Sequence, residues 1–406
     1  MKTKIYSVLL SFLLIIGCQT NKNNRRSENI QAAKTLEIDI DKSQCLRFSE
    51  VFDKPDFVPL ETNIYNLFSN PYQTVVTDSN IFIVSRDTRY QILIFDRSGK
   101  FLNSIYKVGR GPDEYFAFGY IDVNELKKTI TIFDILSRTF ITMNFKGDFI
   151  KKIPAKTFYA YNFLIQSDTD KIIVDLSNSG FVDKPNNTNI FHVLYFDPVS
   201  GAVKTFLPMN RVGIFLTENS LYRFNGNIFY NPPIMDTIYQ VNKESLTPRY
   251  ILDFKKHSKD PEVFNTKDPV KYKSFEKNGT IWEHYDFKET ERYIYSMYYA
   301  IGQKWYFHVF NKKTGKSIVY NKVINDYFGQ TQAKDMFFFD FPVALYKDRI
   351  VLLYQPTQIL KDFNSLKKTL SKEQFEKFKQ QNLQLVNMIE NLKKEDNPVL
   401  GFYKFK

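Results

Sequence analysis

Gln91-Ile-Leu-Ile-Phe-Asp-Arg-Ser-Gly99-Lys-Phe-Leu102 reads as a strand, a tight glycine turn and the start of a second strand, and the chain repeats it. Further copies are Phe140-Ile-Thr-Met-Asn-Phe-Lys-Gly147, His192-Val-Leu-Tyr-Phe-Asp-Pro-Val-Ser-Gly201 and Trp305-Tyr-Phe-His-Val-Phe-Asn-Lys-Lys-Thr-Gly315. Thr237-Ile-Tyr-Gln-Val-Asn is a degenerate copy whose glycine is missing. Each pairs a half-buried strand with a hairpin in which Gly or Asn supplies the positive φ. The turn glycines fall roughly 50 residues apart, the last interval being double, which is the period of a propeller blade of three to four strands. A sandwich would not repeat in this way.

The aromatic content points the same way. Of 406 residues, 43% are hydrophobic and 17% aromatic, with 39 Phe and 26 Tyr against 2 Trp, a bias that favours strands over helices. Ordinary globular composition excludes wholesale disorder and a polytopic membrane protein. Residues 35–406 are therefore expected to form one all-β domain, a six-bladed β-propeller at about 57 residues per blade.

One helical insert, at about 365–395, interrupts it. Ser371 with Gln374 forms a capping box, and Phe375, Phe378, Leu385, Ile389 and Leu392 recur on one helical face. Asn397-Pro398 ends the insert, and Val399–Phe405 follows as a closing strand. Leu36–Ile40 alternates apolar and polar residues, and is expected to complete the last blade so that both chain ends share one sheet.

The N-terminus carries an address. Lys2 and Lys4 precede an apolar run from Ile5 to Ile16, too short to span a bilayer. Its end, Leu14-Ile15-Ile16-Gly17-Cys18, resembles the lipobox of bacterial lipoproteins. That resemblance implies residues 1–18 as a cleaved signal, Cys18 as the lipidated residue and residues 19–34 as a flexible tether. Gln19, not the aspartate associated with inner-membrane retention, then favours the outer membrane, facing the periplasm with the cell surface as the alternative, and the membrane is reached through the lipid on Cys18. Net charge is +12, but the lysines are dispersed and no nucleic-acid partner is expected. Cys45 then stands alone and cannot form an intramolecular disulfide.

Ile94–Leu102, followed by Gly109-Arg-Gly-Pro-Asp-Glu-Tyr115, resembles the six-bladed propeller lipoproteins related to NHL-repeat proteins. Pro59-Leu-Glu-Thr62 and the Asn397-Pro398 closing strand are similar to that family as well. The resemblance covers roughly residues 35–406 and implies fold and compartment; it assigns no reaction.

Chemistry is sparse. Gly109–Tyr115 lacks the Lys-Ser/Thr of a phosphate loop and opens no helix. Arg110, Asp113, Glu114 and Tyr115 are nonetheless the candidate ligand-binding residues, because a blade-to-blade loop can rim the mouth of a propeller. The alternative is local turn hydrogen bonding. His192, His257, His284 and His308 share no ligand spacing, Asp168-Thr-Asp170 is too short for calcium, and no metal or cofactor is expected. His192 and His308 occupy one repeat position and read as structural. No Gly-x-Ser-x-Gly elbow is present. Aromatic density at Tyr293–Tyr299, at Tyr285 with Trp282, and at Phe337–Phe341 fits either sheet packing or a sugar- or partner-binding face. The expectation is a non-enzymatic binding or scaffolding module for a protein partner or glycan. The alternative is a carbohydrate-active hydrolase or lyase whose acidic pair comes from different blades.

Overall fold

Each repeated turn joins the third and fourth strands of one four-stranded antiparallel meander. In a computed structural model, the described residues are 33–86, 89–177, 190–209, 220–242, 245–264, 266, 268–337 and 340–406. The expected signal peptide, Cys18 and the tether to residue 32 lie outside them.

The turn chemistry is local and recurrent. Asp96 Oδ1 accepts from Ser98 N (2.8 Å) and Lys100 N (3.0 Å), and Asn144 Oδ1 accepts from Lys146 N and Asp148 N (both 2.9 Å). Asp197 and Asn311 do the same for Val199 N (2.9 Å) and Lys313 N (3.0 Å). The glycine that follows takes φ +89° at Gly99 and Gly147, and +71° at Gly201 and Gly315. An Asx side chain and a left-handed glycine together reverse the chain within a few residues.

Six sheets result. Sheet 1 comprises Gln73–Val76, Asn80–Ser85, Gln91–Asp96 and Phe101–Ile105, and sheet 2 comprises Phe118–Asn124, Thr129–Asp134, Thr139–Asn144 and Phe149–Pro154. Sheet 3 is built from Asn162–Ile165, Ile172–Asp175, Ile190–Phe196 and Val203–Met209. Sheet 4 is built from Leu221–Phe224, Asn227–Tyr230, Thr237–Val241 and Leu246–Asp253. Ile281–Glu289, Tyr293–Ala300, Lys304–Asn311 and Ser317–Ile324 make sheet 5. Ala344–Tyr346, Arg349–Tyr354 and Val399–Lys404 begin sheet 6.

Apolar side chains fill every gap between successive sheets. Ile94 and Ile132 meet between sheets 1 and 2, Phe140 and Phe163 between 2 and 3, and Ile173 and Ile228 between 3 and 4. Ile238 and Ile294 share the 4–5 core, Tyr295 and Leu352 the 5–6 core, and Phe95 and Phe402 the 6–1 core. The last of these closes a ring, so the architecture is a β-propeller. Middle strands are covered on both faces, as in Asn80–Ser85, whereas the outer strand Phe149–Pro154 has no buried residue.

Ring closure differs from the expectation. Leu36–Ile40 does not complete the last sheet. Lys34–Glu37 instead pairs in parallel with Leu246–Asp253 of sheet 4, so ordered strand starts at the last residue of the expected tether. Gln44–Arg47 pairs in parallel with Ser317–Ile324 of sheet 5, and Asp56–Pro59 fills the fourth place of sheet 6 beside Val399–Lys404. Residues 34–59 thus run as a belt over the rims of three consecutive sheets. Sheet 6 takes its fourth strand from the belt, which is why it carries no copy of the repeated hairpin.

The helical insert is longer than the expected 365–395. Helices Pro356–Thr369, Lys372–Gln381 and Leu383–Asn391 link the second and third strands of sheet 6. The first begins with Pro at N1, a start signal the amphipathic pattern does not reveal. The Ser371–Gln374 capping box is formed. Ile359, Phe363, Leu385 and Ile389 pack over Phe328 and Val399, so the insert is core-bound along one face.

Candidate functional site

Gly109–Tyr115 connects sheet 1 to sheet 2, and its polar groups serve the loop itself. Glu114 folds back so that its Oε2 accepts from Gly111 N at 2.6 Å, and Gly109 N donates to Tyr115 O at 2.9 Å. Added at Gly109, a Cβ would press on that carboxylate, and Glu114 would have to swing out of its turn to make room. Asp113 pairs with Lys107 at 3.2 Å, which holds its carboxyl below the usual range. Tyr115 is fully buried and donates to Tyr90 O at 2.8 Å. Arg110 is exposed.

A different place gathers groups without protein partners. A cavity of about 350 Å³ opens between the first strands of sheets 1 and 5 and the start of sheet 6. Pro71, Tyr72 and Thr74 line one side, Tyr285, Asp286 and Met297 another, and Phe341, Pro342 and Val343 a third. Gln355, the last residue before the helical insert, completes the rim. This is the end of the ring at which the chain enters the first strands, and the helical insert roots at the same end.

Two wall residues stand out electrically. Thr74 and Asp286 are each 6% exposed, and neither Thr74 Oγ1 nor Asp286 Oδ1 has a hydrogen-bond partner among the described residues. An unsatisfied buried acceptor or hydroxyl costs about 1–3 kcal/mol. Asp286 Oδ2 is taken by Lys288 Nζ. Burial raises the Asp286 carboxyl above its ordinary value, and Lys288 pulls the other way. Bulges on both sides of His284 break the strict alternation of Ile281–Glu289, so polarity along this strand does not report which face is inward.

Aromatic rings back the wall. Tyr285 meets Trp305 edge-on with centroids 4.6 Å apart, and Trp305 contacts Phe341 at 5.8 Å. Tyr72 packs on Tyr120 at 4.9 Å under the Arg86 guanidinium. Of the aromatic runs singled out in the sequence, Tyr285 and Phe341 reach this cavity. Trp282 is buried against Tyr272, Tyr293 and Tyr295 pack on Phe405, and Phe338 and Phe339 lie outside the described residues. Thr74 and Gln355 carry no sequence signal, since each is an ordinary polar residue at a strand terminus or interior.

Other polar clusters are largely tied up internally, although Ser177 Oγ and both ring nitrogens of His284 also lack a hydrogen-bond partner among the described residues. Between sheets 3 and 4, Ser220 Oγ donates to Asp175, and Tyr230 OH bridges Asp175 and His192 Nδ1 at 3.3 Å each. His308 contacts Ser296 Oγ (2.9 Å) and Ser317 Oγ (3.1 Å) through its two ring nitrogens. Lys259 is buried on Asp236 (3.0 Å) and Ile281 O (3.1 Å), with His284 3.2 Å from the same carboxylate. Asp170 pairs with Lys127 at 2.9 Å. Among the described residues no group of three or more His, Cys, Asp or Glu is placed to hold a metal ion.

In overall fold the chain is similar to a protein of Bacteroides fragilis described as exported, with a TM-score of 0.66 and 17% identity over 92% of this chain and 99% of that one. A DUF4221-family member from Bacteroides vulgatus is similar at a TM-score of 0.49 and 10% identity, over 88% of this chain and 97% of that one. No functionally curated protein matches. Residues 33–404 match one family across nearly the whole ring, and the chain belongs to that family, described as a domain of unknown function, DUF4934.

Proposed function

We propose that this protein is a lipid-anchored, six-bladed propeller of the cell envelope that binds a glycan, without turning it over, in the cavity between sheets 5, 6 and 1. Counting each sheet as one blade supplies the blade number. The observation that carries the binding reading is the pairing of an aromatic wall with two buried, unpartnered polar atoms, Thr74 Oγ1 and Asp286 Oδ1. Aromatic faces stack on the C–H faces of sugar rings. Sugar hydroxyls would supply the missing partners of Thr74 and Asp286, and Lys288 neutralises the carboxylate enough to suit an uncharged ligand.

A hydrolase reading receives less support, because glycosidases of the common kinds use two carboxyl groups about 5–10 Å apart. Asp286 is the single carboxylate among the described residues lining this cavity. The ligand candidates of the Gly109–Tyr115 loop are the second choice of contact, with exposed Arg110 their most available member.

Cys18 is the proposed lipid attachment point, residues 1–18 the signal and the following segment the tether, placing the ring on the periplasmic side of the outer membrane. The lipobox-like Leu14–Cys18 supports this, as does the exported description of the similar Bacteroides fragilis protein. Calorimetric titration with neutral mono- and oligosaccharides tests the binding reading. Saturable heat that disappears in Asp286→Asn supports it, and heat unchanged by that substitution defeats it. Radiolabelled fatty-acid incorporation, lost in Cys18→Ser, tests the anchor.

A further inference from the structure

A second chamber, of about 250 Å³, lies beside the first between sheets 5 and 6 and under helix Pro356–Thr369. Leu353 and Gln355 line both chambers, and Phe341 of the first is followed back along the chain by Asp340 of the second. Gln355 is fixed there: its Nε2 donates to Ser69 O at 2.7 Å, and Pro356 starts the helix directly after it.

The second chamber is furnished like the first. Asn325 is 5% exposed and donates to Tyr354 OH at 3.0 Å, while its Oδ1 has no hydrogen-bond partner among the described residues. Charged side chains of the lining are held: Lys334 by Asp340 at 2.6 Å, and Asp362 by the amides of Gln330 (2.9 Å) and Gln358 (2.8 Å). What faces the space is therefore mainly amide and apolar surface, with Phe48, Phe328 and Leu352 as its floor. Neutral amides with one buried acceptor left over suit hydroxyl donors better than an ionic ligand.

We infer that the two chambers form one continuous site for an oligosaccharide of at least two rings, one ring against Thr74 and Asp286, the next beneath the helical insert against Asn325, with Gln355 touching both. This rests on the glycan reading of the first cavity and extends it to ligand length. The first chamber alone stands at the lower end of the roughly 300–1,000 Å³ usual for ligand pockets, and the two together fall well inside that range. It also gives the insert a role beyond packing, since its first helix roofs the second subsite.

The test is calorimetry on the full-length protein with gluco-, galacto- and manno-configured mono-, di- and tetrasaccharides and with muropeptides. The expected result is binding of one series, the disaccharide at least about tenfold tighter than its monosaccharide. Gln358→Trp, at an exposed position of the helix, fills the second chamber and should abolish that gain while leaving the monosaccharide Kd within about twofold. Asn325→Leu should cut the same gain from the floor side. Equal affinities across chain lengths, or a gain that survives Gln358→Trp, overturn the two-ring site and leave the first cavity's reading standing. Binding of stem peptides with no saccharide of any length bound overturns both.

Discussion

The Gly109–Tyr115 loop and the cavity at Thr74 and Asp286 lie in one ring and look opposite. In the loop, a conspicuous run of glycine, proline and acidic residues is consumed by its own backbone: Glu114 caps Gly111, Asp113 meets Lys107, and Tyr115 anchors the turn. In the cavity, plain residues from distant strands leave polar atoms unmatched. A motif visible along the chain reports local folding. Unmatched buried polar atoms also occur at Asn231 and His284; those of Thr74 and Asp286 differ in lining a cavity with room for a ligand, which is where stability gives way to function.

Removing Tyr115 sharpens this contrast most. Tyr115→Ala should cost about 3–5 kcal/mol in urea unfolding through lost burial, yet leave saccharide affinity of the folded fraction unchanged. A selective loss of affinity would make the loop part of the site.

Acid should act in opposite directions on the buried imidazoles and on the buried carboxyls. Burial lowers His192 and His284 to about 4 and His308 to about 3. Folded values below the unfolded ~6.5 mean that their stability is present above that pH and lost as pH falls toward the folded values, on the order of 3–5 kcal/mol per group at most. Asp175 and Asp286 act oppositely. Burial raises both, so their stability is present at the most acid pH and lost as pH climbs through the raised values. Urea midpoints should therefore drop between pH 6.5 and 4, and the drop should shrink in His308→Gln. A flat profile over that window would mean that these imidazoles are not held neutral.

Smaller effects separate the two regions further. Glu114→Ala should cost about 1 kcal/mol, the worth of one turn hydrogen bond, measured by denaturation and without change in binding. Thr74→Val keeps the shape and deletes an unmatched hydroxyl. It should leave stability equal or up to about 1 kcal/mol higher while weakening saccharide binding. A clear destabilisation would show that Thr74 has a structural partner and would erase the contrast. Cys45→Ser, on the exposed belt strand, should move stability by less than about 0.5 kcal/mol.

The sequence alone was enough for the meander. Asx-and-glycine turns such as Asp96–Gly99 and Asn144–Gly147 are made by side chains within four residues of the backbone they cap, so the repeat, the all-β class and the Ser371 helix start are written locally. Three things were decided only by tertiary structure. Lys34–Glu37 joins sheet 4 while Asp56–Pro59 occupies the last edge of sheet 6, a choice between edges that no single strand records. Pro356 extends the insert upstream because its helix finds Phe328 and Val399 to cover. Thr74 and Asp286 come together only because sheets 5, 6 and 1 meet there. Whether a polar atom is matched depends on neighbours brought in from elsewhere in the chain, and that information exists only once the ring has closed.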